Sequence, residues 1–440
     1  MSERTILVWF RNDLRIHDNE VLTEACRKGS RVLPVYCFDP RYFSKTPYGT
    51  LKTGFLRAQF LLESVADLKA SLQRKGGGLL VLHGKPEELL PKTAEEYQAD
   101  EVYHHREVAA EETEVSALVE AALWKKQINL KHFIGHTLYH KEDLPFPIKN
   151  IPDAFPVFRK KIERESEVRP SFIQPEVIRV PDNMPQGALP SMEELGFAAS
   201  EKARFSVDFK GGETEGLESM KHFFEETDWL NLKNSRKIAG PELSSKLSAW
   251  LSLGCLSARE VYWAVKQAEE KYGAAALPFL LQLLWRDYFR FMFKKHENRF
   301  SPKGFFDTEI VKLDPGQQQL FDDWKNAQTK VPLVDACMLE LNQTGYIHHK
   351  KRQLAASYLV NVLSKQWAYG ASYFEERLID HSPASNWGNW ALAAGLGGDT
   401  QQKQQYDVLK KELALNPTGV FVSSWVPGSE NAEGKEHCTA

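Results

Sequence analysis

One segment of the chain interleaves positive charges with aromatic rings. Between residues 277 and 298, Arg286, Arg290 and Lys294 recur every four positions, so they share one face of a predicted helix. The rings among these charges are Trp285, Tyr288, Phe289, Phe291 and Phe293. Because cations neutralise phosphates and rings stack on bases, the pattern indicates a surface for a nucleic acid or an aromatic cofactor. A core helix with a solvated basic side is the alternative.

A second segment begins another predicted helix with five cationic or titratable side chains. They are His348, His349, Lys350, Lys351 and Arg352. Neighbouring positions on a helix point about 100° apart, so the two histidines cannot share one metal ion, and we expect no metal site. A phosphate-contacting turn, a histidine general acid and a solvated helix start all remain open.

Hydroxyl groups cluster before an apolar helix at residues 244–248, whose sequence is SSKLS. Hydroxyls and free backbone N–H groups at a helix start can surround a phosphate. The same residues can simply cap the helix. Both interpretations are open from the pattern alone.

A fourth cluster occupies residues 380–390, with the sequence DHSPASNWGNW. A carboxylate, an amide and two indoles come together there among residues that favour turns. Polar loops of this kind frequently carry function, although a buried corner between helices is also compatible with the composition.

The elements that position these clusters fall into two classes. The first 135 residues alternate short apolar runs with amphipathic helical stretches, which predicts a doubly wound parallel α/β sheet. The predicted strands are residues 6–10, 31–38, 79–83, 101–105 and 130–134. Neither a G-x-G-x-x-G fingerprint nor a P-loop occurs, so this half does not resemble a standard nucleotide-phosphate site.

The rest of the chain divides by composition. Residues 136–205 are predicted to form an irregular linker, because nine of the 22 prolines lie between residues 145 and 190. Helical patterns dominate residues 206–426, which hold most of the tryptophans and predict an all-α domain. The small, polar residues 427–440 predict a disordered tail.

Composition excludes several functional classes. With 56 basic and 59 acidic side chains and a net charge of −3, the chain lacks the overall positive charge of many nucleic-acid binders. No apolar run reaches the roughly 18–20 residues of a membrane helix, and we expect no signal peptide. Five scattered cysteines without a C-x-x-C pair are typical of a reduced, cytoplasmic protein. We expect no membrane partner and a monomer.

Several segments resemble the photolyase/cryptochrome family, and specifically its cryptochrome DASH branch. They are VWFRNDLR at 8–15, LYHKEDLPF at 138–146, GGET at 211–214, LLWRDYFRF at 283–291 and SNWGNW at 385–390. The resemblance spans about residues 4–426. It implies a doubly wound α/β N-terminal domain and an all-α C-terminal domain that binds FAD. It also implies a blue-light-driven DNA photolyase, in which reduced flavin donates an electron that splits cyclobutane pyrimidine dimers in single-stranded DNA.

The resemblance assigns cofactor contacts to particular positions. Those matching the flavin phosphate motif are Ser245, Lys246, Leu247 and Ser248. Further cofactor positions are Arg286, Arg352, Asp380, Ser382 and Asn386, of which Arg352 and Asp380 form an ion pair beside the flavin ring. Asn386 matches the residue near the flavin N5. Glu107 matches a contact to a folate antenna, 5,10-methenyltetrahydrofolate.

The resemblance also implies residues for electron transfer and for DNA. Trp390, Trp367 and Trp324 match positions that relay electrons from the surface, and Asn386 completes the expected catalytic set. The expected substrate contacts are Gln282, Trp285, His349, Lys350 and Leu392, with Trp285 as an aromatic wall of the lesion pocket.

Four positions depart from the pattern of the family's repair enzymes. Gln282 replaces a Glu, His349 an Asn, Ser382 an Asp, and Leu392 a Trp or Tyr. A Tyr usual before the phosphate motif is also missing from residues 231–236. Three alternatives follow: a blue-light photoreceptor without repair, a (6-4)-type repair enzyme suggested by Gln282 and His349, and a nucleic-acid-binding module without stable flavin.

Overall fold

The structure is a computed structural model, and its described residues cover most of both halves of the chain. They are 4–185, 187–198, 200–201, 205, 209–227, 244–273, 277–296, 312–363, 366–396, 415 and 419–426. The predicted tail at 427–440 and the segment 231–236 lie outside these ranges.

The first part of the chain forms a five-stranded parallel sheet in the order β3-β2-β1-β4-β5. Its strands are β1 (Thr5–Phe10), β2 (Arg31–Phe38), β3 (Leu80–His83), β4 (Glu101–His105) and β5 (Asn129–Phe133). The helices between them are α1 (Glu20–Lys28), α2 (Phe55–Arg74), α3 (Pro86–Glu96) and α4 (Ala110–Trp124). The predicted doubly wound parallel sheet is confirmed.

The sequence of the central strand, β1, is apolar throughout because side chains on both of its faces are buried. Ile6 and Phe10 point into the core that the sheet shares with the helical domain, whereas Leu7 and Trp9 face α3 and α4. Both faces of β1 are therefore buried, as is usual in parallel sheets.

The remainder of the described chain contains eleven α-helices, and those from Glu213 onward form the predicted all-α domain, which is confirmed. Its helices are α5 (Phe155–Glu165), α6 (Glu213–Glu226), α7 (Ser248–Ser252), α8 (Ala258–Tyr272), α9 (Leu277–His296), α10 (Pro315–Lys325), α11 (Pro332–Thr344), α12 (His349–Leu363), α13 (Trp367–Arg377), α14 (Pro383–Ala393) and α15 (Val420–Trp425). Within the described residues, no helix is long and apolar enough to cross a membrane.

Helix α5 corrects the expectation of an irregular linker. Its only proline, Pro156, lies in the first turn, where a missing N–H costs no hydrogen bond. Phe158 and Ile162 are fully buried one turn apart, so packing stabilises a helix in this proline-rich region.

Buried charges fasten the two halves together. The Glu213 carboxylate of α6 accepts hydrogen bonds from the backbone N–H groups of Ile16 and His17, at 3.0 and 2.9 Å. Asp18 pairs with Arg259 of α8 at 2.6 Å. The loop after β1 is therefore fixed against the helical domain, where the strand order of the sheet reverses.

Candidate functional site

An ionic cluster around the buried carboxylate of Asp380 joins three separate segments of the helical domain. Asp380 Oδ2 accepts hydrogen bonds from Arg352 Nη2 at 2.8 Å and from Ser248 Oγ at 2.6 Å. Arg352 Nε also donates to the Ile347 carbonyl at 2.7 Å, which fixes the guanidinium plane. Burial opposes the charged form of Arg352, but the adjacent Asp380 carboxylate outweighs it and raises the Arg352 pKa.

One oxygen of this cluster remains open. Asp380 is buried, and within the described residues its Oδ1 has no hydrogen-bond partner. An unpaired carboxylate oxygen is costly in a buried place, so it indicates a position where a ligand donor would be bound. The cluster therefore supplies one fixed acceptor beside a fixed cation.

The segment 244–248 reaches this cluster through Ser248. Lys246 adopts a left-handed backbone conformation with φ 53°, which turns the chain before α7. Ser244 Oγ lies 2.9 Å from the Tyr346 hydroxyl, and the side chain of Leu247 is buried. Ser245 and Lys246 remain partly exposed beside them.

Helix α14 positions two more of the predicted cofactor residues. Ser382 precedes the first turn of α14 and lines a large cavity. Asn386 lies one turn later, buried, and its Nδ2 donates to the Ala371 carbonyl of α13 at 2.9 Å. This bond fixes the orientation of the amide.

Two of the three predicted relay indoles contact each other, and the third contacts a different indole. Trp390 and Trp324 are buried with ring centroids 6.1 Å apart, and Trp324 Nε1 donates to the Ala355 carbonyl at 3.1 Å. Trp367 contacts Trp387 instead, at 5.9 Å. Trp387 belongs to the cluster at 380–390 but was not among the residues predicted for electron transfer.

Four of the five predicted substrate residues are exposed. Gln282 and Trp285 occupy successive turns of α9, and both are exposed, as are His349 and Leu392. Lys350 is half-buried at the start of α12. These exposed side chains contrast with the buried carboxylate of Asp380.

The basic face predicted for α9 is directed inward at two of its three positions. Arg286 donates to the carbonyls of His136 and Leu251, and burial, together with repulsion from Arg290, lowers its pKa to about 10. Arg290 pairs with Glu107 at 2.8 Å. Domain contacts thus occupy the phosphate surface expected at these positions.

Glu107, the predicted antenna contact, is engaged within the protein. Its carboxylate lies 2.8 Å from Arg290, 3.1 Å from His136 and 3.0 Å from Asn12 Nδ2. Burial opposes ionisation, but these neighbours lower the Glu107 pKa far below its ordinary value. The cavity beside Glu107 measures only about 30 Å³.

A much larger cavity, of about 720 Å³, lies between the sheet and the helical domain. It opens at the carboxyl ends of β1 and β2, where doubly wound sheets usually bind ligands. Six of its lining residues are Arg11, Tyr42, Tyr48, Arg57, His381 and Trp387. Its volume is typical of a ligand pocket.

Two buried donors in this cavity are incompletely paired. Within the described residues, Arg57 Nε and both ring nitrogens of His381 make no hydrogen bond. Burial lowers the pKa of Arg57 to about 10 and that of His381 to about 3. Glu375 lies 3.7 Å from His381 and 3.5 Å from Lys52. The sequence carried no local signal for this group, because its members lie on distant segments.

Comparisons with known proteins agree with this architecture. Residues 6–177 match the DNA photolyase family model, and residues 279–439 match the FAD binding domain of DNA photolyase. A cryptochrome DASH from Gloeobacter violaceus is 42% identical over 97% of this chain and 86% of its own length. The chain belongs to the photolyase/cryptochrome family, in its cryptochrome DASH branch. A cryptochrome crystal structure from Synechocystis aligns with TM-score 0.87 and 39% identity, over 97% of this chain and 90% of its own. An archaeal photolyase from Sulfolobus tokodaii, solved with two FAD molecules, aligns with TM-score 0.77 and 26% identity, over 96% and 90%.

The residues around Asp380 fit an FAD of this cryptochrome DASH fold. The open Asp380 Oδ1 suits a ring N–H donor, and the Arg352 guanidinium is bound to the other oxygen of the same carboxylate. The partly exposed Ser245 and Lys246 supply a hydroxyl and a cation of the kinds that bind phosphates. The donor set therefore matches the predicted cofactor.

Proposed function

We propose that this protein is an FAD-dependent, blue-light-driven DNA photolyase of the cryptochrome DASH type. Its substrate is a cyclobutane pyrimidine dimer in single-stranded DNA, where moving the damaged bases out of the stack costs least. An electron delivered to the dimer lets the two bonds between the pyrimidines break, and its return leaves no net oxidation or reduction.

The observation that carries the proposal is the cluster in which the buried Asp380 carboxylate holds Arg352 and Ser248. The cluster brings together the cation of Arg352, the Asp380 carboxylate with one unpaired oxygen, and the hydroxyl of Ser248. When bound, reduced FAD supplies the light-absorbing electron donor. The protein orients it through Asp380 and Asn386, both of which are buried and held by hydrogen bonds.

The exposed face of the same domain binds the damaged strand in this proposal. Trp285 stacks on a pyrimidine, and Gln282 one turn earlier contacts a base edge, with Lys350 near the backbone. His349 contributes a neutral hydrogen-bonding ring, because partial burial and the cations Lys350 and Arg352 lower its pKa to about 4.

A photoreceptor without repair is the second candidate, and one observation favours it. Leu392 is 40% exposed and carries no ring, whereas Trp390 and Trp324 are fully buried and in contact. The chain thus retains indoles suited to electron transfer while the lesion face has lost an aromatic wall. Flavin photoreduction without repair would match this candidate.

For an antenna, we place the pigment in the 720 Å³ cavity and not beside Glu107. Glu107 is already paired, and its adjacent space is too small for a pterin. The Sulfolobus tokodaii photolyase, solved with two FAD molecules, supports a second aromatic cofactor in a protein of this fold. Either a folate or a second flavin would meet the open donors of Arg57 and His381.

The antenna is tested by reconstitution with methenyltetrahydrofolate or flavin mononucleotide, followed by gel filtration and absorption spectroscopy. Arg57→Met is expected to lose the added pigment, and Glu107→Gln to retain it. The reverse result would place the antenna at Glu107.

The function is tested with oligonucleotides that carry one cyclobutane dimer or one (6-4) product, single- and double-stranded. FAD-loaded, reduced protein is expected to repair the dimer in single strands under blue light and not in the dark. Repair of only the (6-4) product, or photoreduction of the flavin without any repair, would overturn the proposal in favour of the corresponding alternative.

A further inference from the structure

The indole of Trp285 is stacked on a ring from outside the helical domain. Phe155, the first residue of α5, lies with its ring centroid 3.7 Å from that of Trp285 and a tilt of 13°. Trp285 nevertheless remains 36% exposed. One part of the indole is therefore held by the protein while another part faces solvent.

Phe155 is held there by the backbone before it. The Asp153 carboxylate lies 2.5 Å from Lys295 Nζ and 2.9 Å from His296 Nε2 of α9. The Asp153 carbonyl accepts a hydrogen bond from the Tyr288 hydroxyl of the same helix. Three polar contacts of Asp153 thus tie the start of α5 to Tyr288, Lys295 and His296 of α9.

The side chain of Phe155 is half-buried at the edge of the core, where its ring also lies 5.5 Å from that of Tyr288. Phe158, one turn later, is fully buried and supplies the packing of α5. The contact with Phe155 restricts rotation of the indole, because any large turn of Trp285 would break a nearly parallel stack. Restricting a recognition ring before binding lowers the ordering cost of the complex.

We propose that Phe155 is a positioning residue for lesion binding: it holds the plane of Trp285 against which an unstacked pyrimidine is bound. This inference rests on the proposed function. Leu392 offers no second aromatic ring at this site, so stacking on the pyrimidine depends on the single indole of Trp285. A fixed orientation of the Trp285 indole then compensates for the missing aromatic side chain at position 392.

The test measures binding of a fluorescent single-stranded oligonucleotide with one cyclobutane dimer to the FAD-loaded protein. Phe155→Leu keeps an apolar side chain but removes the ring, and we expect about 2- to 10-fold weaker binding. Phe155→Tyr restores the ring and is expected to restore the affinity. Val157→Ala, at an exposed position of the same helix, controls for a general disturbance of α5.

A positioning role separates binding from chemistry. Flavin content and the repair yield at saturating oligonucleotide should stay unchanged in Phe155→Leu, whereas a merely structural defect would lower flavin content and melting temperature as well. Trp285→Ala serves as the reference for the proposed lesion site.

Each remaining outcome overturns the inference in a distinct way. If Trp285→Ala weakens binding and Phe155→Leu does not, the lesion site stands and the role of Phe155 falls. If Phe155→Leu binds more tightly, Phe155 competes with the base. If Trp285→Ala has no effect, the proposed lesion site itself is wrong.

Discussion

The inner cluster around Asp380 and the exposed face around Trp285 belong to one domain but obey different constraints. Asp380, Arg352 and Ser248 hold one another from segments that are 28 and 132 residues apart, so changing one leaves a buried group without its partner. Gln282 and Leu392 are exposed to solvent. The exposed residues can therefore accept substitutions that the cluster around Asp380 cannot.

The largest effect is expected inside. Asp380→Ala leaves the Arg352 guanidinium without its carboxylate, and removing one partner of a buried ion pair costs about 3–5 kcal/mol. We expect the purified variant to lose most of its FAD, measured by absorption per chain. Asp380→Asn keeps the shape and serves as the matched control, with intermediate flavin content. Full flavin in Asp380→Ala would mean that the cluster does not hold the cofactor.

A smaller effect is expected outside. Trp285→Ala removes the stacking ring, worth about 1–3 kcal/mol per base, so binding of a dimer-containing single strand should weaken roughly 5- to 150-fold. The FAD content should stay at the wild-type level. Loss of flavin in this variant would break the distinction between the two regions.

The third prediction adds a ring to the exposed face. Leu392→Tyr places an aromatic side chain where the family's repair enzymes have one, and an added aromatic contact is worth about 0.5–1.5 kcal/mol. Titration with the same oligonucleotide should give tighter binding by about 2- to 10-fold. The isosteric control is Leu392→Met, for which we expect no gain. Equal affinity in Tyr and Met variants would place Leu392 outside the lesion pocket.

The smallest effect concerns pH. The folded protein lowers the pKa of His349 to about 4, mainly through partial burial and then through Lys350 and Arg352, from an ordinary value of 6.5. Between these values the unfolded chain binds the proton and the folded chain does not, so this contribution to stability is lost as the pH falls from about 6.5 to about 4.

His349→Gln removes that loss. The melting temperature of the variant should fall slightly less than that of the wild type between pH 7 and pH 5. In the wild type, DNA binding between pH 6.5 and 8 should show no dependence on the titration of His349. A larger acid-induced fall in the variant would contradict the lowered pKa.

Sequence patterns were sufficient where the information is local. The predicted strand at 6–10 is observed as Thr5–Phe10, and 31–38 as Arg31–Phe38, because continuous apolar runs specify buried parallel strands. The pairing of Arg352 with Asp380 came from the family resemblance, and the structure brings the two together.

Contacts between segments that are distant in the chain could not be predicted from sequence patterns. The helical spacing of Arg286 and Arg290 identified a shared face correctly but could not tell that this face meets the other domain. The stack of Phe155 on Trp285 joins residues 130 positions apart, through a helix that proline content argued against. Local periodicity specifies which residues share a face, and tertiary packing decides what that face meets.

The most direct test of the central claim is light-driven repair in a single turnover. Reduced, FAD-loaded protein is mixed with a single-stranded oligonucleotide that carries one cyclobutane dimer, and restored thymines are counted after a blue flash and after a dark interval. The account predicts repair only after the flash, with Asp380→Ala inactive through loss of flavin and Trp285→Ala restored by excess oligonucleotide. No repair by a protein that holds photoreducible flavin would contradict it.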